Sequence, residues 1–331
     1  MNKNILLVVM VFAFAKANSL QAQTAGLGET ITDMTLIIGN YVKPASEASV
    51  LQTSAGWSYD AKSLGLGKFS IALNMSAVPF PSSKKTFNVQ DSDFLNLDIR
   101  DGESADIPTA LGGDNRVFFD FEIGGETYEF QAIGGLGTGF FAFPNLQANL
   151  GLWKETELAL RYGPKIEIER SSYALYGIGA KHNISQHIFK EDRPVELAII
   201  ANFSLVDFNV YFDRLPLAAS SGAAPIAVLE GYLTDFHTIN TGVIASKHYG
   251  NWVYNGGLTY NVSWLDYSLI GDEGPFLDLF NRSLEVTSER TYTFMLDAGV
   301  AYKFSDIDLY SQLSTDFDFV NLNVGIGYRI N

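Results

Sequence analysis

Residues 156–169 read TELALRYGPKIEIE. Leu158, Leu160, Tyr162, Ile166 and Ile168 share one parity, and Glu157, Arg161, Lys165, Glu167 and Glu169 share the other. A strand built from them has one apolar face and one charged face. A soluble sandwich would cover the apolar face with a second sheet. An outer-membrane barrel would turn it to lipid and line a wet lumen with the charges. On the barrel reading Glu157, Arg161, Lys165, Glu167, Glu169 and, further on, Lys181 are lumen-facing residues that shape a polar conduit or hold a plug.

The same alternation returns towards the C-terminus. In TYTFMLDAGVAYKF, residues 291–304, Tyr292, Phe294, Leu296, Ala298, Val300, Tyr302 and Phe304 lie on one face, with aromatics at both ends. Rings at two headgroup levels with smaller residues between them suit a membrane-crossing strand. The last strand, VNLNVGIGYRI, alternates Val320, Leu322, Val324, Ile326, Tyr328 and Ile330 against Asn, Gly and Arg. A chain ending in such a strand has the form of a barrel that closes last strand to first, which implies outer-membrane lipid and the barrel assembly machinery as partners. Ile330 and Asn331 stand where a terminal aromatic is usual. At about ten residues per crossing, the chain predicts an all-β, transmembrane antiparallel barrel of about 14 strands, within about 12 to 16.

Three segments frame that barrel. MNKNILLVVMVFAFAKANSLQA has a basic start, a short apolar run and small residues before Ala22, so residues 1–22 read as a secretory signal peptide. Residues 23–55 carry Leu27, Ile31, Met34 and Ile38 at helical spacing until Gly39 and Pro44 interrupt it, which predicts a short helical or plug segment. Residues 56–331 form the barrel, with an acidic, turn-rich loop or insertion at residues 88–115.

Composition excludes several functions. With 22 basic and 37 acidic residues the formal charge is −15; removing the signal takes away Lys3 and Lys16 and leaves −17. That surface does not attract nucleic acid. The absence of cysteine removes disulfides and thiolate metal centres. The glycine-rich run GGLGTGFFAFPNLQANLGLW from Gly134 lacks the lysine and the Ser or Thr of a phosphate loop. The four histidines, His182, His187, His237 and His248, form no zinc-protease motif. No cofactor or metal is expected, and no catalytic constellation is visible, so the chain reads as a non-enzyme; a membrane-embedded lipid-modifying enzyme and a purely structural barrel are the alternatives. Nothing in the sequence sets an oligomeric state.

The run GGLGTGFFAFPNLQANLGLWKETELALRYGPKI, followed by YGIGAKHNISQHI and preceded by YVKPASEASVLQTSAGW, resembles an uncharacterised family of secreted, predicted outer-membrane barrels common in the Bacteroidetes. Arg161 and Pro164 match its Arg-Tyr-x-Pro element, and Lys181 with His182 its Gly-x-Lys-His element. That family distantly resembles outer-membrane transporters for long-chain fatty acids and other hydrophobic compounds. The resemblance implies a plugged barrel, residence in the outer membrane, and a hydrophobic small molecule as the transported partner. It also implies a lateral opening at a distorted strand. Gly163 offers backbone freedom and Pro164 withholds a ladder donor, so RYGPKIEI is where such a bulge is expected, with Gly163 and Pro164 as the candidate lateral opening.

Overall fold

The computed structural model describes residues 26–114, 116–168, 171–189, 193–219, 225, 227–272, 275–286 and 290–330. The expected signal peptide and Glu169 lie outside these residues. Helix α1, Leu27–Ser54, comes first, and strand β1, Phe69–Pro79, follows it. An outer unit holds β2 (Thr86–Gln90), β3 (Leu97–Ile99), β4 (Ser104–Pro108), β5 (Phe118–Ile123) and β6 (Glu126–Gln131). The remaining strands are β7 (Phe140–Leu152), β8 (Thr156–Ile168), β9 (Ser171–Asn183), β10 (Glu196–Ala219), β11 (Ala227–Tyr249), β12 (Trp252–Gly271), β13 (Arg290–Phe304), β14 (Ile307–Thr315) and β15 (Val320–Ile330). The short α2, Ser185–Ile188, precedes β10, and α3, Pro275–Val286, precedes β13.

β1 and β7 to β15 pair antiparallel in a closed ring, because β1 bonds both to β7 and to the final strand β15. Ten strands make the barrel, which corrects the expectation of about fourteen. The assumed crossing length was too short: β10, β11 and β12 run 24, 23 and 20 residues. β5 and β6 lie outside the ring, where they pair with each other, with β3 and with the far end of β10.

The wall has the two faces that alternation requires. Leu73, Leu160, Tyr162, Phe294, Leu296, Leu322 and Ile326 are exposed on its outside, while Asn74, Arg161, Asn240, Asn261, Asn321 and Asn323 are buried inside. So large an exposed apolar belt needs an apolar solvent. One end of the barrel carries tight connections, such as Lys154–Glu155 and Ser305, which adopt positive φ. The other end carries the outer unit and α3.

α1 is a single helix of 28 residues, about 42 Å long. The expected break at Gly39 and Pro44 does not occur, and Pro44 sits inside the helix. Packing overrides the local signal, because residues on several sides of α1 are buried. No helix among the described residues is long and apolar enough to cross a membrane; α1 instead lies within the barrel and the outer unit.

The helix is threaded from the loop end towards the turn end. Near its start, the buried Asp33 carboxylate accepts backbone N–H bonds from Leu95, Asn96 and Leu97 of the outer unit at 2.7–3.0 Å. Midway, Ile37, Ile38 and Tyr41 share a core with Phe130, Leu217 and Phe280. Lower still, Ala48, Leu51 and Ala55 pack on Val78, Met295 and Phe319. The chain then continues down the lumen to Leu64, whose N–H donates to Glu157 beside the β7–β8 turn at 3.0 Å.

Candidate functional site: a forked wall above a plug clasp

Two features meet in the lumen. The lower one is a clasp around residues 53–64. Arg161, buried on β8, donates from Nη1 to the carbonyls of Ala55 at 2.9 Å and Thr53 at 3.3 Å. Those carbonyls lie at the open C-terminus of α1, where backbone acceptors have no helical partner and the dipole favours a cation. Nε and Nη2 of Arg161 donate to Gln147 Oε1 at 3.1 and 2.9 Å, and its guanidinium lies 4.0 Å from the Trp57 ring centroid. Trp57 sits directly on β9 because Gly177 and Gly179 have no side chains: a Cβ at Gly177 would be 2.7 Å from the indole.

Lys181 closes the second side of the clasp. Its Nζ donates to the carbonyls of Asp60 at 2.9 Å and Lys62 at 3.3 Å, and pairs with Glu157 Oε1 at 3.2 Å. Glu157 stands opposite Lys181 in the β8–β9 ladder, so the register itself makes the pair. The Asp60 carboxylate accepts from Lys303 Nζ at 2.5 Å and Ser246 Oγ at 2.7 Å, and meets His248 Nε2 at 3.0 Å. Strands β8, β9, β11 and β13 thus all grip one short segment.

The upper feature is a fork between β7 and β8. Their ladder runs from Leu152 and Thr156 up to Leu146 and Tyr162 and stops there, although β7 continues to Phe140 and β8 to Ile168. Two more residues along that register would set Pro144 opposite Pro164. Gly151 exchanges both backbone bonds with residues just before β1, so odd positions of β7 address β1 and even positions address β8. On the other strand, the Glu155 carbonyl accepts from Asn183, so even positions of β8 address β7. If the ladder continued in that register, both prolines would aim a nitrogen without hydrogen at the seam, and neither bond of that pair could form.

β8 carries one extra residue here. Gly163 pairs with Leu175 and Ile166 with Tyr173, three steps against two, which is a β-bulge. The bulge reverses the alternation above it. Ile166, expected outside, packs partly buried against the Phe143, Tyr173 and Leu175 cluster. Lys165 and Glu167, expected to line the lumen, are exposed and form a long ion pair at 3.8 Å. Of the expected lumen-facing set, Glu157, Arg161 and Lys181 come together in the clasp.

Behind the fork the lumen is aromatic. Phe143 of β7 and Tyr173 of β9 have ring centroids 4.2 Å apart, touching across the strand that separates them. Gly163 permits this, since a Cβ there would lie 2.2 Å from Phe143 Cε1. Next to them is a small, partly open cavity of about 20 Å³, lined by Ala45, Ala48 and Ser49 of α1 with Phe141, Tyr173 and Phe208 of the wall. Among the described residues no cluster of three or more His, Asp or Glu side chains could hold a metal ion.

Sequence reasoning did not single out Trp57, Asp60, Phe143, Pro144 or Tyr173. Pro144 had a visible signal, a second proline inside the alternating run FFAFPNLQANL. Trp57 stands in the SAGW stretch used for the family resemblance, beside no cue to its partner.

The family model that matches the sequence spans residues 1–330. The chain belongs to a family of unknown function, DUF6588. Within this chain the stretch RYGP holds Arg161 of the clasp and Pro164 of the fork, and GAKH holds Lys181. His182 turns aside to bond Thr156 Oγ1 at 2.9 Å. No curated protein sequence matches the chain. Among solved structures it is similar to the translocator domain of autotransporter NalP from Neisseria meningitidis, with 11% identity, 90% of this chain and 98% of that one covered, and a TM-score of 0.34. The COG4313 outer membrane channel from Pseudomonas putida F1 shares 10% identity over 82% of this chain and 98% of its own, with a TM-score of 0.35. The outer membrane protease OmpT from Escherichia coli shares 9% identity over 80% and 96%, with a TM-score of 0.30.

Proposed function

We propose that this protein is a plugged outer-membrane barrel that admits small hydrophobic compounds sideways, between β7 and β8. The observation that carries the reading is the end of the β7–β8 ladder at Leu146 and Tyr162, two residues short of Pro144 on one strand and Pro164 on the other. A barrel wall keeps its backbone groups paired where it can, because lipid offers them no hydrogen bonds. A stretch released from that pairing is a place where an apolar molecule can pass from lipid to lumen without crossing water. It leads to the aromatic cluster and the cavity beside α1 rather than to the polar clasp.

On this reading the short-turn end faces the periplasm and the loop end the exterior, as in barrels with short periplasmic turns. Residues 53–64 then close the periplasmic half of the lumen, and delivery requires the clasp to loosen. The reading agrees with the resemblance to transporters for long-chain fatty acids.

The experiment compares uptake of a fluorescent apolar dye into outer-membrane vesicles carrying the wild type, Pro164→Val, or Pro144→Val with Pro164→Val. Restoring donors on both strands lets the ladder zip upward, and dye entry falls in the double variant while the barrel stays folded. Unchanged entry in a folded double variant overturns lateral admission.

A further inference from the structure

The lipid-facing side of the wall carries an open groove of about 750 Å³, running from β12 across β13, β14, β15 and β1 to β7. One row of the strand register makes it. Lys247 of β11 stands opposite Tyr254, Tyr254 opposite Val300, and Val300 opposite Ser311. Ser311 in turn faces Val324, Val324 faces Met75, and Met75 faces Pro144. Val300, Ser311 and Val324 are short and form the floor, while Tyr302, Leu309, Ile326 and Leu73 of the neighbouring row stand up as a rim. Behind the floor the Tyr310 ring covers Gly325, where a Cβ would lie 2.4 Å from Cζ, and stacks on Tyr59 with centroids 4.1 Å apart. Packed rings back the groove, so it belongs to the outer face.

The two ends of the row differ in height and in chemistry. Lys247 is exposed two residues before the end of β11 at Tyr249, close to the short-turn end of the barrel, and its Nζ lies 5.4 Å from the Tyr249 ring centroid. Tyr249, Trp252 and Tyr254 are exposed beside it. Aromatic side chains gather at headgroup level, where a lysine can reach a phosphate. Pro144 lies eight residues before the end of β7 at Leu152, beside the place where β7 and β8 part. The row therefore climbs from headgroup level to the fork. At about 4.8 Å between strands it runs about 24 Å from β12 to β7, against about 15 Å for one leaflet of the hydrocarbon core. A chain lying in the groove is oblique to the membrane.

A second copy of the protein paired about a two-fold axis would set this hollow against itself and leave it unfilled. A flexible hydrocarbon chain fills it. Bulk lipid is as apolar as the groove, so a preferred occupant is chosen by packing and by headgroup charge. Lys247 is the one charged residue of the row.

We propose that this row binds an anionic phospholipid of the leaflet at the short-turn end, with its phosphate against Lys247 and one acyl chain laid along the groove to Pro144. The site rests on the shape of the outer wall and goes beyond lateral admission. Where the fork does admit solutes, the groove brings the end of a hydrocarbon chain to it.

The test is photo-cross-linking of the full-length protein in phosphatidylcholine vesicles containing phosphatidylglycerol with a diazirine at the end of one acyl chain, followed by peptide mapping. Adducts are expected on residues 140–146 of β7 in excess over the outward face of β10. Lys247→Gln lowers the β7 adducts by roughly fivefold, the worth of one lysine at an anionic surface. Ser311→Phe with Val324→Phe fills the floor and removes them. Both substitutions present apolar side chains to lipid, so this variant keeps its folded mobility on unheated gels. Adducts spread evenly around the wall, or β7 adducts unchanged in the filled variant, overturn the site. Loss in the filled variant with no change in Lys247→Gln overturns the phosphate contact and with it the proposal. Copy-to-copy disulfides formed by Ser311→Cys in the vesicles would place a second copy over the groove and overturn the lipid. Dye entry in the proline variants is a separate measurement, so either reading can fail without the other.

Discussion

Pro144 and Pro164 each lie two residues beyond Leu146 and Tyr162, the last paired residues of the β7–β8 ladder. One proline in a strand removes a single donor, and an edge or a bulge absorbs it. Prolines at the two positions that would pair next remove both bonds of that pair, so the seam has no cheap way to continue in the same register. The bulge at Gly163–Ile166 adds a register shift on the far side of β8. The fork is therefore encoded twice, in the chemistry of two nitrogens and in one surplus residue.

The first prediction follows from those nitrogens. In Pro144→Val with Pro164→Val, amide hydrogens at both positions gain partners, and hydrogen exchange at residues 140–145 of β7 slows. Each recovered bond stabilises by about 1 kcal/mol. The single Pro164→Val variant gains less, because Pro144 still lacks its donor and the bulge remains. Exchange measured by mass spectrometry on peptides covering β7 distinguishes the two cases, and equal exchange in wild type and double variant counts against the seam.

Arg161 should be the residue whose loss most loosens the plug. Arg161→Ala orphans the carbonyls of Thr53 and Ala55 and the side-chain oxygen of Gln147, and removes the cation from the face of Trp57. Buried acceptors left unpaired cost about 1–3 kcal/mol each, so the folded barrel loses roughly 3 kcal/mol or more. Arg161→Lys keeps the charge but cannot fork between three acceptors, and recovers only part of the loss. Urea unfolding orders the three proteins. Planar-bilayer recordings report the plug directly: conductance rises in Arg161→Ala and stays near the wild-type value if the segment is held by its packing alone.

The outer wall is tested at Leu296, exposed between buried Met295 and half-buried Asp297, which bonds Ser314 inside the barrel. Leu296→Arg is expected to destabilise the bilayer-inserted barrel by about 2–4 kcal/mol near the midplane and by less near an interface. Leu296→Ala costs less. In detergent the arginine reaches water and the penalty shrinks, so a similar loss in both media argues against a lipid-facing position.

The sequence and the structure agree where a signal repeats along the chain. The two-residue alternation in β13 and β15 survives intact, because neither strand carries a bulge and their outward residues all meet an apolar solvent. They disagree where one residue resets the count. Reading Leu158 through Ile168 as a single parity was sound up to Gly163, and the bulge then moved Ile166 inward and Lys165 and Glu167 out. Arg161, Glu157 and Lys181 were legible as lumen residues. Their partner was not, since Trp57, Asp60 and the α1 carbonyls reach them only through the threading of residues 53–64, a contact some hundred residues long-range. Strand number was misjudged for a related reason: alternation marks a strand but not how far it projects beyond the bilayer, and β10 to β12 project far.

Gly163 provides a prediction opposite in sign to the prolines. The Phe143 ring lies where a side chain at position 163 would begin, with 2.2 Å between its Cε1 and an added Cβ. Gly163→Ala forces that ring to move. Since Phe143 packs on Tyr173, the movement opens the inner closure of the fork rather than the seam itself. Overpacking of this kind costs about 1–3 kcal/mol, so the variant is less stable yet admits apolar dye faster than the wild type. Phe143→Ala reaches the same open state by deletion, and adding Gly163→Ala to it has little further effect on entry, because the clash has gone. Dye uptake and urea stability measured together on the four proteins separate the cases. If Gly163→Ala lowers stability but leaves uptake unchanged, both alone and with Phe143→Ala, then the Phe143 ring packs the lumen without guarding the way in.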